Sequence, residues 1–238
     1  MNKRWNSKDF KIGVLGGGQL GRMLIQEAID LDVHLHMIDS DPNAPCALIA
    51  HSFTHGSITN YDEVIEFGKD KDLITVEIEN VNIEALEALE QKGVKIFPQP
   101  RVLKIIKDKG VQKQFYADHN IPTAPFTLYD TANALKGADI SYPIIQKMRT
   151  GGYDGKGVQL LKTSSDSFDA PNLCESLIDF DKELSVIVAR NEDGDVQCFP
   201  SVECEFNPEA NLVEYLFSPA NISKEITQKA NSIAIDLI

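Results

Sequence analysis

Apolar and polar positions in the first hundred residues alternate between two periods. Residues 10–15 form a short apolar run, and from about Leu20 to Leu31 the apolar positions Leu20, Met23, Leu24 and Ala28 recur at helical spacing. Val33, Leu35 and Met37 then alternate up to Asp39, which marks a second strand, and residues 52–55 read as a short third one. Val64, Ile65 and Phe67 place a helix over 61–69, and residues 73–79 read as a further strand. Asn82 is positioned to cap a helix with Ile83, Leu86 and Leu89 inward and Glu84, Glu87 and Glu90 outward, which Gly93 ends. Residues 94–97 close the series before Pro98 and Pro100. Strands and helices alternating at these lengths predict a doubly wound α/β domain with a parallel sheet and right-handed crossovers.

The pattern then changes. A single helix is expected over 101–119, followed by a proline-braced connector in which Pro122 is a candidate hinge. Beyond it the strands crowd together, with a hairpin at Asn191-Glu192-Asp193-Gly194 between strands expected at 184–190 and 196–199. This is the signature of an α+β region, so the expected division is 1–99 and 100–238. Residues 230–238 read as an apolar-faced helix with no cap, from which the sequence is expected to stop inside its second domain.

At 238 residues with 42% hydrophobic and 25% charged positions, the chain is that of an ordinary globular protein. Its formal net charge of −13 argues against general binding to nucleic acid or an anionic membrane. No apolar run approaches the roughly 20 residues that span a bilayer, and no apolar h-region follows the basic start, so neither a membrane anchor nor a signal peptide is expected. Cys46, Cys174, Cys198 and Cys204 lack metal-ligand spacing and are expected to be reduced thiols of a cytoplasmic protein.

An anionic ligand must therefore be met by local positive charge, and residues 146–157 offer it. Lys147, Arg149 and Lys156 flank four glycines, Gly151, Gly152, Gly155 and Gly157, between two strand-like runs. Glycines let backbone N–H groups approach a polyphosphate closely, and the cations complete a clamp. A surface hairpin without a ligand is the plainer alternative. Gly16-x-Gly18-x-x-Gly21, with Asp39 ending the next strand, fits a strand–turn–helix phosphate site, and Arg22 could add a contact. An NAD(P)-dependent oxidoreductase would use the same turn. Glu77 and Glu79 share one face at a strand's carboxyl end, where open α/β sheets bind ligands. His34 and His36 share a strand face and read as satisfied or solvated. Glu175 and Glu183 flank the apolar Leu177-Ile178, an arrangement able to edge an adenine or to be plain surface.

Taken together, several segments resemble the ATP-grasp superfamily, and within it the N5-carboxyaminoimidazole ribonucleotide synthetases. They are Gly16-Gly17-Gly18-Gln19-Leu20-Gly21-Arg22-Met23, Glu77-Ile78-Glu79-Asn80, Asp108-Lys109-x-x-x-Gln112-Lys113, Pro122-Thr123-Ala124-Pro125, Arg149-Thr150-Gly151-Gly152-Tyr153-Asp154-Gly155-Lys156-Gly157 and Lys182-Glu183-Leu184-Ser185-Val186. The resemblance implies a Rossmann-like pre-ATP-grasp domain followed by an incomplete ATP-grasp domain with a lid over about 122–183. It implies ATP-dependent carboxylation of 5-aminoimidazole ribonucleotide by bicarbonate, through carboxyphosphate, in purine synthesis. Gly18, Gln19, Leu20, Glu79 and Tyr153 would hold the ribonucleotide. Lys109 and Lys147 would contact ATP phosphates, and Gly152, Tyr153, Asp154, Gly155, Lys156, Gly157 and Val158 would cover them. Glu175, Ser176, Leu177 and Ile178 would meet adenine, with Glu183 on the ribose, while Asp154 and Lys156 would assist the chemistry. Mg2+ is implied as a cofactor with ligands beyond Ile238, so little turnover is expected of the 238-residue chain alone, and a homodimer is implied. Phe206 stands where many relatives have histidine. Another ATP-grasp ligase, such as a formate-dependent glycinamide ribonucleotide transformylase, or a non-catalytic binder of the same fold, is the nearest alternative.

Overall fold

The computed structural model describes residues 4–152, 156–207 and 212–238. The chain divides into two compact units, Met1–Lys107 and Asp108–Ile238.

The first unit contains β1 (Ile12–Leu15), α1 (Gln19–Asp30), β2 (Leu35–Asp39), β3 (Ser52–His55), α2 (Tyr61–Gly68), β4 (Leu73–Val76), α3 (Ile83–Gln91), β5 (Lys95–Ile96) and α4 (Pro100–Lys107). Its five strands are ordered β3-β2-β1-β4-β5 and every pairing is parallel. Neighbouring residues of one strand point to opposite faces, and both faces are sealed: Val14 and Leu15 are each fully buried. Leu15, Ile38 and Ile74 pack with Val64, Phe67, Leu86, Leu89 and Leu103, so α2, α3 and α4 cover one face. Val14 and Met37 pack with Ile25 and Ala28 of α1 on the other. This is the doubly wound α/β arrangement expected from the alternating periods.

Local chemistry sets the ends. The Asn82 carboxamide accepts from Ala85 N at 2.8 Å and starts α3, and Gly93 at φ +92° ends it. Two expectations are corrected. The inward face of α1 carries Gly21, Ile25 and Ala28, whereas Leu20, Met23 and Leu24 are exposed. The cause is close packing at Gly21, where an added methyl would come within 3.0 Å of both Met37 Cε and Cys46 Sγ. The helix expected over 101–119 is two helices, because Asp108 is extended (φ −119°, ψ 109°) and its side chain caps the second.

The second unit starts with α5 (Lys109–Asp118), β6 (Phe126–Tyr129), α6 (Ala132–Lys136), β7 (Ile144–Met148), β8 (Val158–Leu161) and β9 (Asn172–Ser176). The sheet β6-β9-β7-β8 is antiparallel throughout. One face is closed by Leu135 of α6, packed with Ile144, Leu161 and Cys174. Next come β10 (Glu183–Ser185), β11 (Val188–Arg190), β12 (Val196–Cys198), β13 (Val202–Asn207), β14 (Leu212–Phe217) and α7 (Lys224–Leu237). The strand expected over 184–190 is split: β10 joins the sheet of β13 and β14, while β11 pairs with β12 in a separate two-stranded sheet. The turn at Asn191 is as expected, with Gly194 at φ +89° and its N–H donated to Asn191 O.

Candidate active site

Strands β7 and β8 form a hairpin whose last ladder bond runs from Met148 N to Gly157 O at 2.8 Å. The loop between them carries the glycine-rich segment. Gly151 and Gly157 both lie at φ +75°, a region L side chains rarely adopt, and a methyl at Gly152 would sit 2.7 Å from Lys156 O. Backbone geometry alone therefore requires glycine at these three positions. Tyr153, Asp154 and Gly155 lie outside the described residues.

The three cations of this segment have distinct settings. Arg149 donates to Asp108 through Nε (3.0 Å to Oδ1) and Nη2 (2.7 Å to Oδ2), a bidentate pair. Asp108 Oδ1 also accepts from Gly110 N and Val111 N, and Lys109 N donates to Arg149 O at 2.9 Å. Burial works against ionising Asp108, but the Arg149 guanidinium and the two backbone N–H groups outweigh it and hold its carboxyl below the usual range. Arg149 thus ties the loop's first residue to the start of α5. Lys147 Nζ lies 2.7 Å from Glu175 Oε2, and Lys113 Nζ lies 2.7 Å from Glu175 Oε1. Lys156 is exposed.

The register explains this cluster. On β7, Ile144 and Gln146 face the core with Leu161 and Cys174, so Ile145 and Lys147 project from the other face, as does Glu175 of β9. Gln146 is fully buried and accepts from Gln159 Nε2 and Phe168 N, which holds β7 and β8 in place. The Glu175 carboxyl is held below the ordinary glutamate range: burial alone would raise it, and the hydrogen bonds and charges of Lys113 and Lys147 prevail. Lys109 Nζ reaches Gly152 O at 3.4 Å, while Lys113 and Lys147 meet at Glu175. Val158, Leu177 and Ile178 expose apolar side chains. Ser176 N donates to Pro125 O, and Glu183 is exposed on β10. Lys182 pairs with Glu203 at 2.8 Å. Phe206 sits at an irregularity in the β13–β14 register.

In the first unit, Gly16, Gly17 and Gly18 join β1 to α1, and Gly18 caps the helix without a side-chain bond. Gln19 and Leu20 open α1, with Leu20 exposed. Gly17 N donates to Asp39 Oδ2 at 2.7 Å, and Asp39 Oδ1 accepts from Asp41 N. Strand β4 stops at Val76, so Glu77 and Glu79 lie just past it; Glu77 is half-buried against the turn and Glu79 is exposed. His36 Nδ1 pairs with Ser52 Oγ, whereas His34 Nδ1 and His36 Nε2 are buried without hydrogen-bond partners among the described residues, so these rings are only partly satisfied. All four cysteines are free thiols, Cys46 and Cys174 being buried. Among the described residues no three His, Cys, Asp or Glu side chains are arranged to hold a metal ion.

The ribonucleotide synthetase preATP-grasp domain model matches residues 10–107, and the ATP-grasp domain model matches residues 114–238. The chain belongs to the ATP-grasp family. It is 33% identical to the phosphoribosylaminoimidazole carboxylase of Candida glabrata over 95% of its own length and 42% of that protein. It is 31% identical to the N5-carboxyaminoimidazole ribonucleotide synthase of Synechococcus elongatus over 95% of itself and 59% of that protein. The carboxyaminoimidazole ribonucleotide synthase of Aspergillus clavatus, solved in complex with ATP, superposes with a TM-score of 0.88 at 33% identity, over 98% of this chain and 63% of that one. The chain thus spans about two fifths to three fifths of the length of these three relatives.

Sequence reasoning missed two features of this ATP-grasp chain. Lys113 lay within a quoted motif without a role, although its spacing of four from Lys109 puts both on one side of α5. The Asp108–Arg149 pair had no local signal at all.

Proposed function

We propose that the protein carrying this chain carboxylates the exocyclic amine of 5-aminoimidazole ribonucleotide with bicarbonate, spending ATP and passing through carboxyphosphate. The observation that carries the reading is the cation-lined glycine hairpin of β7 and β8, with Lys147 on Glu175 and Lys109 at Gly152. It occurs in a chain similar along nearly its whole length to a synthase solved with ADP and 5-aminoimidazole ribonucleotide. In this reading bicarbonate attacks the γ-phosphate of ATP, ADP departs, and the resulting carboxyphosphate delivers its carbon to the amine with release of phosphate. Charge grows on the transferring oxygens, so the Lys109 and Lys147 ammonium groups stabilise it, and a loop that excludes water protects the labile intermediate.

The site assignments belong to the same proposal. Gly152, Tyr153, Asp154, Gly155, Lys156, Gly157 and Val158 cover the nucleotide, with residues 122–183 as the lid segment and Asp154 and Lys156 assisting proton and charge movement. Glu175, Ser176, Leu177 and Ile178 edge the adenine, Glu183 takes the ribose, and Gly18, Gln19, Leu20, Glu79 and Tyr153 hold the ribonucleotide. Mg2+ is typical of the family, and the described residues do not form a site for it. A cytoplasmic homodimer completes the reading; among the described residues no helix is long and apolar enough to cross a membrane.

The NAD(P) alternative is disfavoured, because the domain models that match the chain are the ribonucleotide synthetase preATP-grasp domain and the ATP-grasp domain. The test is product formation from ATP, bicarbonate and the ribonucleotide by the longest natural form of the protein. Bicarbonate-dependent release of ADP that Asp154→Asn abolishes is expected. Absence of any bicarbonate-dependent product overturns the proposal.

A further inference from the structure

Lys113 is a cation that the proposed chemistry does not use. It stands on α5, and its ammonium group reaches the sheet, where it lies 2.7 Å from Glu175 Oε1. It also donates to Thr123 Oγ1 in the connector and sits 5.9 Å from the centre of the Phe126 ring. Phe126 of β6 is opposite Glu175 of β9 in the antiparallel ladder, so ring and carboxylate share one face and one lysine covers both. The side chain is only 13% exposed. Groups from three separate segments thus fix a charge that a surface lysine would leave to water.

On its other side the Glu175 carboxylate meets Lys147, with Nζ 2.7 Å from Oε2. Two ammonium groups and one carboxylate give these three side chains a formal charge of +1, and Lys113 supplies the surplus. Lys147 and Glu175 alone would be a neutral pair. An anion approaching Lys147 would then feel the carboxylate behind the ammonium almost as strongly as the ammonium itself. With Lys113 on the opposite carboxylate oxygen, the repulsion from Glu175 is balanced from behind and the attraction of Lys147 is left over.

We propose that Lys113 is a positioning residue for nucleotide binding: it neutralises Glu175, so that the charge of Lys147 is available to the phosphates of a nucleoside polyphosphate, and it does not touch that ligand itself. This rests on the nucleotide reading of Lys147 above and adds the residue on which Lys147 depends. A lysine that merely braces α5 against the sheet makes a different forecast. A brace, once lost, is not restored by removing its partner, whereas a charge balance is.

The experiment is a calorimetric titration of the longest natural form of the protein with ADP in the presence of Mg2+. Lys113→Gln keeps a donor for Thr123 and loses the charge, taking the three groups from +1 to 0; ADP is expected to bind about tenfold more weakly. Adding Glu175→Gln to Lys113→Gln returns the three groups to +1 through Lys147 alone, and is expected to recover at least about fivefold of that loss. Lys113→Arg keeps the charge and should stay within about threefold of the wild type. Circular dichroism checks that each variant folds, and Lys113→Met takes the place of Lys113→Gln if the latter does not. ADP affinity within about twofold of wild type in the neutral variant, or a double variant that binds no tighter than the single one, overturns the proposal. No ADP binding by the wild type would sink the nucleotide reading together with it. Failure of the carboxylation assay with the ADP series behaving as stated would instead sink the activity reading and leave the role of Lys113 standing.

Discussion

Glu175→Gln perturbs the charge cluster of the second unit while keeping the side chain's shape. The carboxylate is 7% exposed, with Lys113 Nζ 2.7 Å from one oxygen and Lys147 Nζ 2.7 Å from the other. The substitution leaves two ammonium groups facing each other across a neutral amide. Removing one member of a buried ion pair costs about 3–5 kcal/mol, because an uncompensated charge stays behind. Two details place this case at the lower end. Lys147 is 30% exposed and can turn to water, whereas Lys113 is 13% exposed, also donates to Thr123 Oγ1, and sits 5.9 Å from the centre of the Phe126 ring. A loss of about 3 kcal/mol follows, equivalent to roughly 6–12 °C in the Tm of the second unit. Differential scanning calorimetry at pH 7 measures it, and adding Lys147→Met to Glu175→Gln should recover more than about 1 kcal/mol by removing the repulsion. The sign with pH is fixed by the lowered carboxyl of Glu175. Its contribution is present above the unfolded glutamate pKa of about 4.3 and is lost as pH falls through the folded value, so the gap between wild type and variant should close on acidification. A loss below about 0.5 kcal/mol at pH 7, or a gap that widens in acid, would refute the argument.

Asp108→Asn keeps an N-cap acceptor but loses the charge paired with Arg149, and should cost about 1 kcal/mol; Asp108→Ala loses both and should cost about 2–3 kcal/mol in urea unfolding. Equal losses would mean that the cap contributes nothing. His36 is held neutral, its pKa lowered to about 4 by burial first and then by Lys71, His51 and Lys11, with Asp70 opposing. Its unfolded value near 6.5 is higher, so stability is complete above that pH and erodes as pH falls from 6.5 towards 4, by about 1–2 kcal/mol once solvent screening of a partly exposed ring is allowed for. His36→Gln should flatten that slope, and an unchanged slope would remove His36 as its source. Gly152→Ala sets a methyl 2.7 Å from Lys156 O, which is backbone and cannot swing away. Nucleotide affinity of the natural protein, read by calorimetry, should fall about tenfold with the loop base displaced; unchanged affinity would detach Gly152 from the nucleotide site.

The sequence by itself determined what depends on near neighbours. The alternation of periods marked a parallel sheet covered on both faces, and Val14 and Leu15 are indeed buried on opposite sides of it. Asn82 announced α3 because a cap acts within three residues, and the glycine hairpin was legible because positive φ at Gly151 and Gly157 is a local demand. Tertiary structure decided everything that depends on a distant partner. Asp108 breaks a helix that its own segment favours, in company with Arg149, 41 residues away. Two of the three cations read as a clamp, Arg149 and Lys147, are set by Asp108 and Glu175, and Lys113 joins them only because the sheet register turns Glu175 away from the core. The inward face of α1 was misread because hydrophobicity favoured Leu20, Met23 and Leu24, whereas close approach at Gly21 selects a different stripe. Glu77 and Glu79 are equivalent as letters two apart. They differ because one lies beneath a turn sixty residues earlier in the chain, and no local period carries that information.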